Sequence, residues 1–312
     1  MTERVERTFR AMGTSMRFIA YAADAAGGQR ALEAAEERTR SIEARFSRFI
    51  ASSELSRLNA FVGSPVAVSR DMAEVLGLAL EQHHATGGLF DPAILPDLER
   101  AGYDRTFDEI DPDAARPGPS AHATFADLEW DGRTVRTPHG MRIDLGGIVK
   151  GWTADRIADQ LARVGPVLVD LGGDIAVRGT PPGESAWTVA VEDPAAGPAL
   201  AALRVTTGAI ATSGTYRRRW TGAAGTMHHL IDPRTGRPAA SDLVAVVALH
   251  PRAVIADVWA KCVLLERPQR RAALIAACPG LEVILVPVSG IPVGTGGALA
   301  RCIDGSANGV AA

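Results

Sequence analysis

The 312-residue chain has little cysteine, no basic excess and no long apolar run, and each shortage removes a class of function. Its three cysteines, Cys262, Cys278 and Cys302, are odd in number and lack the paired spacing of a zinc site or a disulfide framework, so buried free thiols are expected. Lys and Arg total 33 against 36 Asp and Glu, a net charge of −3, and form no stripe along the chain, which excludes a nucleic-acid partner held through phosphates. The one basic run, Arg217 to Arg219, reads either as a solvated strand or turn or as a phosphate contact. No segment approaches the length of a membrane span. The first residues, MTERVERTFRAMG, spread their charges and predict no secretion signal, so a reducing, cytoplasmic setting is expected.

What is present suits a large core: 46% apolar and 22% charged residues lie near the globular average. The length permits one domain or two, and we expect one intimate unit with two lobes. From Arg7 to Tyr21 the chain is β-tolerant, and Leu32, Ala35, Ile42 and Phe46 then recur at helical spacing over 29–47. Ser52 or Ser53 caps a short helix through Asn59, and a longer one spans 69–84, ending at Gly87 and Gly88. Residues 111–123 (DPDAARPGPSAHA) have no periodicity and mark a surface excursion or lobe junction. A helix from about Gly147 to Val164 precedes short strands in VLVDL, DIAVRG and WTVAVED. Further strands are expected at 203–207, 227–231, 243–249, 281–286 and near 290, with helices at 252–265 and 268–277. Adjacent strand runs and separated helices predict an α+β fold, and residues 305–312 read as a disordered tail.

Three glycine-containing segments lie where a strand gives way to another element, the places where backbone amides can face an anion. In IDLGGIVKG, at 143–151, Asp144 ends a strand, Gly146 and Gly147 turn the chain, and Lys150 falls in the first turn of a helix. That is either a diphosphate cradle with Lys150 as counter-charge or a tight turn with a solvated lysine. The pair Gly172 and Gly173 in VDLGGDIAVRG reads as a hairpin, mainly structural. In AIATSGTYRRRW, Thr212, Ser213 and Gly214 either supply hydroxyl or amide donors or form a strand-end turn. In MHHLIDPRTGRP, His229 precedes an apolar pair and a tight turn, and is either a satisfied sheet histidine or a titratable group near neutrality.

Eight segments occur in this order: FRAMGTSM (9–16), FSRFIASSELSRLNA (46–60), TGGLFDPAILP (86–96), IDLGGIVKGWTADRIA (143–158), LGGDIAVRG (171–179), AIATSG (209–214), HLIDPRTGRP (229–238) and IADVWAKCVLLE (255–266). Together they resemble the FAD:protein FMN transferases, also called the ApbE or thiamine-biosynthesis lipoprotein family, over nearly the whole chain. The resemblance implies an α+β ApbE-like fold with mixed sheets, flanking helices and two intimately packed lobes, in one domain over residues 1–304. It implies binding of FAD and, with magnesium, transfer of FMN to a Thr or Ser of a target flavoprotein, with release of AMP. Carried over by motif, Met12, Leu89, Phe90, Asp91, Asp144, Lys150 and Ile231 match FAD-contacting positions, and Asn59 matches a flavin-site residue.

The metal positions that the resemblance implies fall on the Gly147 carbonyl, on Asp257 and on the residue one helical turn later. That last position, ordinarily Thr or Ser, is Lys261 here, and a protonated ammonium has no lone pair for a metal. Three readings stay open: a more hydrated magnesium on Asp257 and Gly147, the Lys261 ammonium in place of the metal, or a plain i,i+4 salt bridge. His229 is the candidate base for the incoming hydroxyl, with Asp257 the alternative, while Lys150, Lys261 and any magnesium supply positive charge. Rival activities on the same residues are an FAD pyrophosphatase and a non-catalytic FAD-binding protein.

Overall fold

A computed structural model describes residues 2–115, 123–194 and 199–303. The β-tolerant start is a hairpin, not a single strand: β1 (Glu3–Ala11) and β2 (Thr14–Ala22) pair antiparallel across a turn at Met12 and Gly13. Both turn residues have positive φ, +49° and +69°, the backbone that matches the twist of a two-residue hairpin. Methionine is uncommon in that region, so little in the amino-acid pattern announces the turn. Helix α1 (Ala25–Phe46) starts ahead of its apolar stripe because the Asp24 side chain accepts from Gly27 N–H and caps it. Ser53 and Ser69 cap α2 (Glu54–Ala60) and α3 (Arg70–Ala85) in the same way, and the short α4 (Leu95–Arg100) follows the 86–94 loop.

Helix α5 (Val149–Leu161) leads to β3 (Val167–Asp170) and β4 (Ile175–Arg178), joined by the turn at Gly172 and Gly173, which is the hairpin expected there. Next, β5 (Trp187–Val191) and β6 (Ala201–Val205) form a separate two-stranded ribbon. The chain re-enters the sheet as β7 (Gly208–Gly214), β8 (Leu243–His250), β9 (Glu282–Pro287) and β10 (Val293–Gly294). The eight strands run in the order β1-β2-β3-β4-β7-β8-β9-β10 and are antiparallel at every step. The fold is thus α+β, its mixing lying in sheet and helices and not in strand direction. Thr212, Ser213 and Gly214 form no turn: they continue β7 and pair with Val247, Val246 and Ala245. The strand expected over 227–231 ends at His228, in a hairpin of Arg219–Gly222 with Gly225–His228. Residues 116–122 of the anticipated lobe junction and the 305–312 tail lie outside the described residues.

Alternation along the strands splits the core into layers. Val167 and Val169 face α1 and α5, meeting Leu32, Ile157 and Leu161, whereas Leu168 between them faces the ribbon and packs near Trp187, Val189 and Leu203. Helix α6 (Ala253–Leu265) is buried on nearly every face, and α7 (Pro268–Ala276) follows it. An all-round apolar helix belongs in the interior, so the two charged residues on α6, Asp257 and Lys261, are carried there with it.

Helix α5 meets the start of α6 at Gly151, where a Cβ would stand 2.5 Å from the Ala253 carbonyl oxygen and 2.8 Å from Val254 Cα. Both obstacles are backbone and cannot swing aside. Gly151→Ala should therefore lower the unfolding free energy by about 1–3 kcal/mol, read as a lower urea midpoint at unchanged slope. A midpoint equal to that of the wild type would show that the helices separate freely at this contact.

Candidate functional site

Four charged side chains from three elements meet inside the protein. Lys150, in the first turn of α5, donates to the Asp174 carboxylate at the end of the β3–β4 turn, and Lys261 donates to the Asp257 carboxylate one turn earlier on α6. Lys261 Nζ also donates to the Asp257 main-chain carbonyl at 2.7 Å, and the other Asp257 oxygen accepts from Gly151 N–H at 3.2 Å. The two pairs are near enough to feel one another. Burial above all, then the Asp257 charge, pushes the Asp174 carboxyl up to about 6 against the pull of Lys150 and Lys261. Burial works against the Lys150 ammonium, yet Asp174 and Asp257 together hold it above its ordinary value.

Two further residues complete the group. Arg218 sits at φ +43°, and its guanidinium lies 3.7 Å from where a Cβ on Gly13 would be, over the β1–β2 turn that also carries Met12. Among the described residues Arg218 has no ion-pair partner, so three cations face two carboxylates. His229 follows the Gly225–His228 strand, and its buried Nδ1 has no hydrogen-bond partner among the described residues. Burial, then Arg218, His228, Lys150 and Lys261, hold its pKa well below the ordinary imidazole value, so the ring is neutral at neutral pH. The satisfied histidine is instead His228, whose Nε2 donates to the Ala239 carbonyl at 3.1 Å while its Nδ1 accepts from Leu230 N–H. A surplus cation beside a neutral, unpartnered imidazole suits an anionic ligand and a proton acceptor.

The Asp144 end of the glycine turn is built separately. The Asn59 side-chain amide clamps Ile143, donating to its carbonyl at 2.8 Å and accepting from its N–H at 2.7 Å, which fixes the residue before Asp144. Asp144 accepts from Gly146 N–H at 2.8 Å and pairs with Arg48 at 2.7 Å. Arg48 packs over Phe49 and Tyr103, 4.2 and 4.7 Å from their ring centres, and Phe49 remains 39% exposed. Gly147, at the other side of the turn, lies against Lys261 and Phe90: a Cβ there would be 3.0 Å from Lys261 Cε and 3.5 Å from the Phe90 ring. A side chain at this position would have to displace the Lys261 stem by a few tenths of an ångström.

Leu89, Phe90 and Asp91 form a buried loop. The Asp91 carboxylate accepts from Ala93 N–H at 2.8 Å and from Thr124 Oγ1 at 3.1 Å, so its side chain shapes the loop. Asp91 also borders a cavity of about 590 Å³ whose wall includes His83, Gly88, Thr124, Arg234 and Gly236. Ile231 is buried with Tyr103, Trp220 and Met227 beneath that side of the molecule. The fold thus gathers Lys150, His229, Asp257 and Lys261 in one charged centre, with Gly147 and Phe90 against it and Met12 beside Arg218. Asn59 and Ile231 stand in supporting packing. Sequence reasoning names Arg218 only within the 217–219 basic run and does not single out Asp174, Arg48 or Phe49, although the Asp after the double glycine and the FSRF segment are visible in it.

Magnesium does not fit these donors. Gly147 and Asp257 do converge, but on Lys261, whose ammonium already engages Asp257, and among the described residues no three His, Cys, Asp or Glu side chains group as a metal site.

The fold and this centre define an α+β protein with an interior, cation-rich cluster whose charge suits an anion. A family model described as the ApbE family matches residues 12–285, and the chain belongs to that family. Among its relatives is the FAD:protein FMN transferase of Treponema pallidum, 34% identical over 75% of this chain and 70% of that protein. Another is the FAD:protein FMN transferase of Vibrio cholerae serotype O1, 30% identical over 74% and 72% of the two chains. The solved ApbE protein of Thermotoga maritima superposes with a TM-score of 0.88 at 24% identity, over 97% of this chain and 100% of that one. The flavin transferase ApbE of Vibrio cholerae does so with a TM-score of 0.79 at 23% identity, over 96% and 100%. These two likenesses bear on the fold.

Protonation of His229 is coupled to folding. The unfolded chain takes up this proton below about pH 6.5 while the folded chain resists it, so stability falls with pH by up to about 1.4 kcal/mol per unit. Asp174, raised to about 6, acts in the opposite sense, gaining its proton in the folded state. His229→Gln should therefore lose less thermal stability than wild type between about pH 7 and about pH 5.5. Parallel melting profiles for the two proteins would mean that the ring is solvated.

Proposed function

We propose that this protein binds FAD and transfers its FMN half, through a phosphoester bond, to a Thr or Ser hydroxyl of a target flavoprotein, releasing AMP. The observation that carries the reading is the neutral, unpartnered His229 among Lys150, Lys261 and Arg218. Its family relatives carry the name of this activity. The acceptor oxygen attacks the phosphorus on the riboflavin side. The bond from that phosphorus to the bridging oxygen breaks, and AMP leaves with the bridging oxygen and the electron pair. The hydroxyl proton passes to His229. Asp257 is the poorer base, since one oxygen is engaged by Lys261 and the other by Gly151 N–H.

Such transfers need positioning and charge neutralisation more than covalent help from the enzyme. Lys150, Lys261 and Arg218 supply the charge, and the exposed Phe49 face beside Arg48 and Asp144 offers a planar ring a stacking surface. The free thiols Cys262, Cys278 and Cys302 support an acceptor that faces the reducing cytoplasm. No helix among the described residues is long and apolar enough to cross a membrane.

Incubation with FAD and candidate acceptor flavoproteins, followed by intact-mass measurement, should yield a covalently flavinylated acceptor and AMP. Free FMN with AMP would mean that water is the acceptor, and unchanged FAD would mean a binding protein. FAD should bind more tightly than FMN by flavin fluorescence titration, because the site reads the diphosphate and not the flavin alone. Asp144→Ala should weaken FAD binding or transfer about tenfold or more, the scale of one hydrogen bond to a charged group. Asp170→Ala, which removes the acceptor for Gly173 N–H in the neighbouring hairpin and a charge facing Arg17, should change either little.

A further inference from the structure

Helix α6 brings one ammonium into the interior, and its surroundings are those of a fixed counter-ion. The Lys261 stem lies along Gly147, and the side chain curls back so that Nζ donates to both the Asp257 carboxylate and the Asp257 carbonyl. Only 15% of the side chain is exposed. An ammonium has three N–H donors, and Asp257 takes two of them, which leaves one for a ligand oxygen. Lys150 gives one donor to Asp174, leaving two.

A divalent ion at the same place would face this ammonium at short range and compete with it for an Asp257 carboxylate whose two oxygens already have partners. Magnesium can fill its octahedron with waters and phosphate oxygens, but it needs the Asp257 carboxylate as an anchor, and there the Lys261 ammonium already sits. A lysine is a compact point charge well suited to phosphate, and here it is held covalently on α6 with its stem against Gly147, in the glycine turn that precedes α5.

We propose that the Lys261 ammonium is the resident cation of this site, standing in the place of a divalent metal and contacting the diphosphate of bound FAD, so that flavin transfer proceeds without magnesium. The proposal rests on the transferase reading above for its substrate but not for its metal-binding half. It also makes Lys261→Thr a change of cofactor, because the threonine hydroxyl would return a neutral oxygen beside Asp257 while removing the competing charge.

Two measurements test it. Magnesium alone is titrated calorimetrically into flavin-free wild type and Lys261→Thr, and transfer from FAD is followed for both with EDTA or with millimolar magnesium. Wild type should give no binding heat and the same transfer rate under both conditions. Lys261→Thr should bind magnesium and transfer at least about 100-fold more slowly in EDTA, recovering when magnesium is added, while Lys261→Ala stays about 100-fold slow in both. Magnesium binding by wild type, together with loss of its transfer in EDTA while FAD remains bound, would overturn the proposal. The wild-type titration and the wild-type transfer rate in EDTA together decide the point even if a Lys261 variant fails to fold. Absence of transfer under every condition would sink the transferase reading, and the calorimetry would still report whether a metal binds.

Discussion

The rest of the site depends on charge held inside an apolar interior. Helix α6 is buried almost all round, so Asp257 and Lys261 lose most of their water and satisfy each other. The same need recurs at Lys150 and Asp174, brought in from α5 and the β3–β4 turn. Burial, with the Asp257 charge behind it, pushes Asp174 up to about 6, while Asp174 and Asp257 hold Lys150 above its ordinary value against its own burial. Breaking either pair would leave an uncompensated buried charge, so the pairs fix the approach of α5, α6 and the sheet.

A second charge effect follows from this arrangement. Arg218 and His229 enter where the two internal pairs are already satisfied, so Arg218 has no carboxylate to meet among the described residues and His229 feels the charges of Arg218, Lys150 and Lys261. The cluster is poised for an anion, and burial first, then the neighbouring cations, keeps the imidazole unprotonated at neutral pH. The positive φ of Met12 and of Arg218 places both unusual backbones beside this centre. Strained residues commonly lie at functional sites, and these two bring the β1–β2 turn against the cations.

Much of this is legible in the amino-acid pattern. Helices α1, α2, α3, α5 and α6 announce themselves through apolar spacing and Ser, Asp or Gly punctuation, and the motifs that hold Lys150, Asp257, Lys261 and His229 converge in the fold. What stays hidden depends on long-range packing or on uncommon dihedrals. The Met12–Gly13 turn lacks the usual Asn-Gly signal, and Thr212 to Gly214 look like a turn until β8 pairs beside them. Asp174 reads as part of a hairpin because its partner Lys150 lies 24 residues away, and Arg48 meets Asp144 only in the folded chain. The motif resemblance assigns Asn59 to the flavin site, and its clamp on the Ile143 backbone, beside Asp144, shows only in the folded chain.

With this balance of charge, the diphosphate of FAD belongs on Lys150, Lys261 and Arg218, beside His229. A crystal structure of the His229→Gln variant soaked with FAD tests that placement most directly, since the dinucleotide should remain uncleaved. Diphosphate oxygens should then lie within hydrogen-bonding distance of those three cations. A diphosphate seated instead in the cavity between His83 and Arg234, with the Lys150–Asp174 and Lys261–Asp257 pairs untouched, would contradict it.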